Sequence, residues 1–350
     1  MDLSRRDFLK FSGAVSLLTL TQPGHLLSQP GPVLESRAIM DEGLHWFQKK
    51  ATPIVCERIK RAGFNVLIPA IWHGRGTTWP SGLSPWDSVL AAPPSYDPVE
   101  NLLKVAESFD LEVHPWFTVG LRQRDFFPEY AIPTAQGDFD WHNPAFRDFI
   151  VKLMLEVAKR YPIHGLNLDF VRFGWPIPGA EVEREAVVAD VIRRTYHGAK
   201  AINKHLVISA DVAPWHPTIT QFGQNGPKWA DEGIIDVMYS MQYQWAPDFD
   251  IIRQIQSKMK RPETVVVMIG NFDEVKTEET VVPRAPNRVV ELITQSREIS
   301  SHNGVAMYDY SKLNDLQITA LKNSVFQKSA LPYWKLDYEP PAMPKFFKVE

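Results

Sequence analysis

The chain has 350 residues, with 38 Lys and Arg against 41 Asp and Glu, a formal net charge of −3. That length exceeds the usual single-core size of about 100–200 residues, so two domains or one large barrel are the options. The 44% hydrophobic fraction excludes an intrinsically disordered chain, the balanced charge gives no basic field for nucleic acid, and one cysteine excludes a disulfide framework or cysteine-ligated zinc. The 28 prolines point to ordered, stiff loops, and the 19 Phe, 11 Trp and 10 Tyr serve either as core filling or as stacking platforms in those loops.

Ser4-Arg5-Arg6-Asp7-Phe8-Leu9-Lys10 matches the twin-arginine export pattern S-R-R-x-F-L-K and is followed by an apolar stretch over residues 11–20. That stretch is shorter than the roughly 20 residues of a membrane span but suits the apolar region of a signal peptide. No clean small-x-small cleavage site precedes Pro30, so either removal or retention as an anchor is open. Residues 1–30 are therefore set apart from the fold. The expectation is a protein carried out by the twin-arginine translocation machinery, working in the periplasm or elsewhere beyond the inner membrane.

From there strands and helices alternate. Short runs rich in Val and Ile read as buried parallel strands over residues 37–43, 65–72, 111–119, 165–173, 206–213, 235–243, 264–272 and 304–310. Helical periodicity covers residues 53–62, 98–108, 144–160, 182–203, 249–259 and 288–299, with a weaker helix over 226–232 and another over 315–326. Pro53, Pro98 and Pro144 stand at helix starts, with Thr52, Asp97 and Asn143 as N-caps. Eight strand–helix units predict one TIM (β/α)8 barrel over residues 31–330, with a doubly wound sheet as the runner-up. The Pro- and aromatic-rich residues 331–350 are expected to form a strap against it.

In such a barrel the chemistry lies where strands end. The strongest local signal is Gly165-Leu166-Asn167-Leu168-Asp169-Phe170-Val171-Arg172-Phe173, an acidic residue inside an apolar strand. Burying that carboxyl is costly unless it is paired or reaches a cavity. Alternation puts Asn167, Asp169 and Val171 on one face. The bland alternative is that Asp169 only satisfies a neighbouring Arg or backbone group.

In these residues the sequence resembles the glycosyl-hydrolase-like family 10 and related glycoside-hydrolase-like barrels. The resemblance runs through Glu35-Ser36-Arg37-Ala38, Gly63-Phe64-Asn65-Val66-Leu67, Asp97-Pro98, Leu111-Glu112-Val113-His114-Pro115-Trp116-Phe117, Asn143-Pro144-Ala145-Phe146-Arg147 and Gly165 to Asp169. It continues in Ile235-Asp236-Val237-Met238 with Gln242-Tyr243. His164, Phe170 and Ser240-Met241 depart from the family pattern. The resemblance implies a glycoside hydrolase that cleaves a polysaccharide or cell-envelope glycan, with Asp169 as principal carboxylate.

Glycoside cleavage needs two carboxyl groups, one protonated and one ionised. Asp211, near the end of the fifth strand, is the first choice as partner. Asp273 and Glu274 come second, Asp41 and Glu42 third, and Asp309 fourth. The expected substrate contacts are Asp41, Trp72, His73, His114, Trp116 and Arg172 on the first four strands and the loop after them. Trp215, Tyr239, Gln242, Tyr243, Asp273 and Tyr308 are expected on the others, and Trp245 offers a further ring for sugar stacking. His114 is as readily a core histidine, and any single aromatic is more readily core than platform. No cofactor is expected, and no metal, since His45, His73, His114 and His216 lack metal-site spacing. A non-catalytic carbohydrate-binding barrel and a metal-dependent hydrolase or deacetylase are the alternatives.

Overall fold

The structure is a computed structural model that describes residues 33–337 except 91–92, 124, 133–136, 175–180, 214–218, 276–279 and 301–303. The export segment, Trp215 and the end of the strap lie outside the described residues. Eight parallel strands form the barrel: β1 Arg37–Asp41, β2 Val66–Trp72, β3 in two segments (Glu112–Val113 and Trp116–Thr118), β4 Gly165–Asp169, β5 Val207–Val212, β6 Val237–Gln242, β7 Val265–Gly270 and β8 Val305–Tyr308. Each pairs with its successor, and β8 pairs back onto β1 through Ala306 and Ala38, which closes the ring. The helices α1 Thr52–Ala62, α2 Pro98–Ser108, α3 Pro144–Arg160, α4 Glu181–Ile202, α5 Gly226–Asp231, α6 Phe249–Gln256, α7 Pro286–Arg297 and α8 Asp315–Asn323 each follow the strand of the same number.

Strand alternation builds two cores. Ala38, Met40, Ile68, Val266, Met268 and Ala306 fill the lumen, while Ile39, Leu67, Ile208, Val267 and Met307 pack outward against helices. This is why the strands read as continuous apolar runs: both faces are covered. Asp97 caps α2 by accepting from the Val99 and Glu100 amides, and Asn143 caps α3 through the Ala145 amide. Thr52 is not the cap of α1: that position is Ala51, and the Thr52 hydroxyl donates instead to the Trp46 carbonyl at 2.9 Å.

Three strands depart from their expected extents for local reasons. The third is interrupted at His114 and Pro115, where proline offers no amide to the ladder. The fourth stops at Asp169, because Phe170 takes a left-handed φ of 51°. Alternation therefore does not carry Asp169's face on to Val171, which packs in the outer core. After β7, where the seventh strand is expected to run to residue 272, Phe272–Val275 instead forms an antiparallel hairpin with Thr280–Pro283.

The N-terminal floor of the barrel is closed by the chain ends. Val33–Leu34 pairs in parallel with Ala330–Leu331, and the 3-10 segment Tyr333–Asp337 sets Trp334 against the lumen cluster. The Trp334 indole donates to Glu112 Oε2 at 2.8 Å, and Lys335 Nζ lies 3.2 Å from Oε1. Burial alone would raise the Glu112 carboxyl, but the His114 hydrogen bond and nearby positive charge hold it at about 2. Aromatics of the strand ends, of the loop after β3 and of α3 largely fill the outer core. Trp72, Phe127, Tyr130, Phe139, Phe146 and Phe149 form one contiguous cluster that pins the loop after β3 onto α3.

Candidate active site

β4 and β5 run in register, with Asn167 opposite Ser209 and Leu168 opposite Ala210, so the next residues along, Asp169 and Asp211, are neighbours on the lumen side. Adjacent strands lie about 4.8 Å apart, which fixes the rough spacing of the two side-chain origins. Both are buried, Asp169 with 7% and Asp211 with 1% of its surface exposed. Asn167 Nδ2 donates to Asp211 Oδ1 at 2.9 Å and to Ser209 Oγ at 3.1 Å. Asp169 Oδ1 accepts from the Phe170 amide at 2.6 Å, and the Trp116 indole N–H faces the same carboxyl.

Two neighbouring carboxyls in a low-dielectric pocket cannot both ionise at little cost. Burial pushes Asp169 above the ordinary carboxylate range, against the Arg172 charge and the Phe170 amide, which pull it down. Burial, and then the negative charge of Asp169, push Asp211 well above that range. Asp211 therefore holds a proton more firmly than Asp169, and Asp169 is the better-supported anion. Arg172 is kept beside them by stacking on the Phe170 ring, its guanidinium carbon 4.1 Å from the ring centroid. The sharp turn at Phe170 that permits this needs a close neighbour without a side chain. A Cβ at Gly120 would come within 2.7 Å of the Phe170 carbonyl oxygen.

Around the pair stands an aromatic wall. Tyr243 and Tyr308 stack with centroids 4.8 Å apart, Phe272 meets Tyr308 edge-on at 5.9 Å, and Trp116 meets Tyr308 edge-on at 6.4 Å. His73 packs on Trp116 at 6.2 Å, and burial followed by the Arg75 charge lowers its pKa, so it stays neutral. The Tyr308 hydroxyl donates to Glu42, the first residue beyond β1. Buried Asp211 Oδ2, Asn167 Oδ1 and His73 Nε2 have no protein partner. Polar atoms left open in this way are what a hydroxylated ligand would satisfy.

The structure thus gathers Asp169, Asp211, Trp116, His73, Arg172, Tyr243 and Tyr308, and it places the other sequence candidates elsewhere. Trp72 is fully buried in the outer core, because the register shift between Ala70 and Trp72 turns it away from the lumen. His114 lies on the barrel floor against Trp334, with centroids 5.6 Å apart. Asp41 points outward and meets His45 Nδ1 at 2.6 Å. Gln242, on the outward parity of β6, accepts from the Asp248 amide at 2.8 Å and so braces its own loop. Asp273 pairs with Arg284 at 2.7 Å, and Asp309 caps a 3-10 turn through the Lys312 amide and the Ser311 hydroxyl. Tyr239 is buried in the lumen with Val237 and Val266. Trp245, 59% exposed, stands beyond Tyr243 with the Arg284 and Arg288 guanidiniums 5.7 and 5.4 Å from its ring. Among the described residues no group of three His, Cys, Asp or Glu side chains converges to hold a metal ion.

Fold and site together define a TIM (β/α)8 barrel whose strand-end cup holds a buried, adjacent carboxyl pair behind an aromatic wall. Residues 39–131 match the family described as glycosyl hydrolase-like 10, a stretch from β1 into the loop after β3 that ends before Asp169. The chain is 27% identical over 158 residues to the glycosyl hydrolase YngK of Bacillus subtilis, covering 40% of this chain and 31% of that protein. It is 24% identical over 149 residues to the glycosyl hydrolase DigH of Escherichia coli, covering 35% of this chain and 34% of that protein. The matched stretches therefore span about a third of the length of these curated relatives. Among solved structures, the PgaB (BpsB) glycoside hydrolase domain from Bordetella bronchiseptica superposes with a TM-score of 0.60 at 12% identity, covering 82% of this chain and 98% of that one. At that identity the likeness is one of fold.

Proposed function

We propose that this chain is an exported member of the glycosyl-hydrolase-like family 10 that hydrolyses O-glycosidic bonds of a polysaccharide or cell-envelope glycan. The observation that carries this reading is the adjacency of Asp169 and Asp211 at the mouth, where burial raises both carboxyls and the charge of Asp169 raises Asp211 further. A protonated carboxyl can donate to a departing glycosidic oxygen, and its ionised neighbour stabilises the positive charge that develops on the sugar ring. Trp116, Tyr243 and Tyr308 offer ring faces to the C–H faces of a pyranose, while the open polar atoms of Asn167 and His73 suit its hydroxyls. The family match and the two glycosyl hydrolase relatives support the same class.

The test is a panel of polysaccharides and cell-envelope glycans with detection of new reducing ends, comparing wild type with Asp169→Asn. The near-complete closure of Asp211 favours a second reading, in which the pair is a buried polar strut and the cup only binds glycan. Tight binding by wild type without new reducing ends would establish that reading instead. Export rests on Ser4 to Lys10. Replacing Arg5 and Arg6 with lysine should hold the protein in the cytoplasmic fraction, and unchanged export would refute this route.

A further inference from the structure

The pair described above supplies no group on the far face of a bound sugar, which an inverting reaction requires and a retaining one does not. Asp169 and Asp211 rise from neighbouring strands of the same wall, about 4.8 Å apart at their strand spacing, so they meet a bound sugar from one side. Cleavage with a directly attacking water needs a second group on the other face of the ring, with the two separated by about 6.5–9.5 Å. Of the other strand-end carboxylates, Asp41 meets His45, Asp273 meets Arg284 and Asp309 caps the Ser311–Lys312 turn, while Glu42 and Glu274 are exposed and Glu42 is held against the aromatic wall by Tyr308.

Glu42 is placed differently. It leaves β1, which stands three strands from β4 and four from β5 in the closed ring, and it is exposed at the mouth. Parity explains this: Ala38 and Met40 face the lumen, so the next residue of that face is Glu42 and not Asp41. Its carboxylate accepts the Tyr308 hydroxyl, the Tyr308 ring meets Trp116, and the Trp116 indole faces Asp169. Glu42 and Asp169 thus stand at the two ends of a contact chain that crosses the cup, close enough for the Glu42 charge to act on Asp169.

We propose that Glu42 is the general base that activates the attacking water, so that hydrolysis proceeds with inversion at the anomeric carbon. The proposal rests on the glycosidase reading above. In the step, a Glu42 oxygen takes a proton from water as the water oxygen bonds to the anomeric carbon. The bond from that carbon to the leaving oxygen breaks, and the leaving oxygen receives the proton held by the Asp169–Asp211 pair. Tyr308 is a positioning residue, whose hydroxyl fixes the carboxylate against the aromatic wall.

The experiment follows the first-formed anomer by proton NMR on a glycan that wild type cleaves, together with kcat and KM of Glu42→Gln. The expected results are an inverted first product and a fall in kcat of about 100- to 10,000-fold in the variant, with the thermal midpoint unchanged because Glu42 is exposed. Tyr308→Phe should lower kcat more than it raises KM. A retained first anomer, or Glu42→Gln at wild-type kcat, would overturn the base assignment and leave the glycosidase reading standing. Failure of wild type to release reducing ends from any glycan would overturn both.

Discussion

Replacing Asp211 with Asn removes the second ionisable carboxyl of the pair while keeping shape and the oxygen that accepts from Asn167. Two unit charges about 5 Å apart at an effective dielectric near 20 repel by about 3 kcal/mol. That corresponds to about 2 pH units in the proton affinity of the neighbour. In the variant Asp169 alone would carry the proton and would lose it at lower pH, so the alkaline limb of kcat/KM should move one to two units toward acid. Stability should move the other way. An unfolded aspartate releases its proton near pH 4, whereas folded Asp211 retains it well above that, so between those points the folded chain binds more protons and wild-type stability falls as pH rises. Asparagine has no such slope. The variant should therefore gain thermal midpoint over wild type at pH 8 compared with pH 5 while losing activity. A kcat/KM profile from pH 4 to 9 and thermal scans at the two pH values measure both. An unmoved alkaline limb at wild-type activity, or a larger loss of midpoint at pH 8 than at pH 5, would refute the shared-proton account.

Trp72→Ala should cost about 3–5 kcal/mol of folding stability, read as a shift in denaturant midpoint, because the indole fills the outer core. A raised KM with unchanged stability would mean that Trp72 lines the cup after all. Trp334→Phe removes the indole donor to Glu112 on the floor, far from the mouth, and should cost about 1–3 kcal/mol with no change in kcat/KM. Glu112, held at about 2, adds stability above its unfolded value near 4.5 that is lost as pH falls toward 2. Thermal scans from pH 6 down to 3 should therefore show a shallower acid decline in Glu112→Gln than in wild type.

The barrel was legible because its strands are covered on both faces and so appear as Val- and Ile-rich runs, with prolines and Asx caps marking two helix starts. Asp169 and Asp211 were legible for a related reason, as acidic residues where the strand pattern demands apolar ones. The aromatic lining was not, since a Trp at a strand end reads alike whether it packs outward, as Trp72 does, or inward, as Trp116 does. What separates them is the register shift after Ala70, a pairing property with no local signature. The left-handed turn at Phe170 is similarly hidden, because nothing in a Phe side chain favours it; the neighbouring Gly120 that makes room lies fifty positions away in sequence. The exchange of Asp41 for Glu42 is different. The parity of Ala38 and Met40 against Ile39 carried that information, and counting outward from it turns Asp41 away from the lumen.

The most direct test of the central claim is reducing-end release by wild type and by Asp169→Asn across the glycan panel, with folding of both checked by thermal midpoint. The account predicts cleavage of at least one glycan by wild type and a loss of about 100-fold or more in the variant, with its midpoint preserved or raised. Cleavage by Asp169→Asn at the wild-type rate would contradict it.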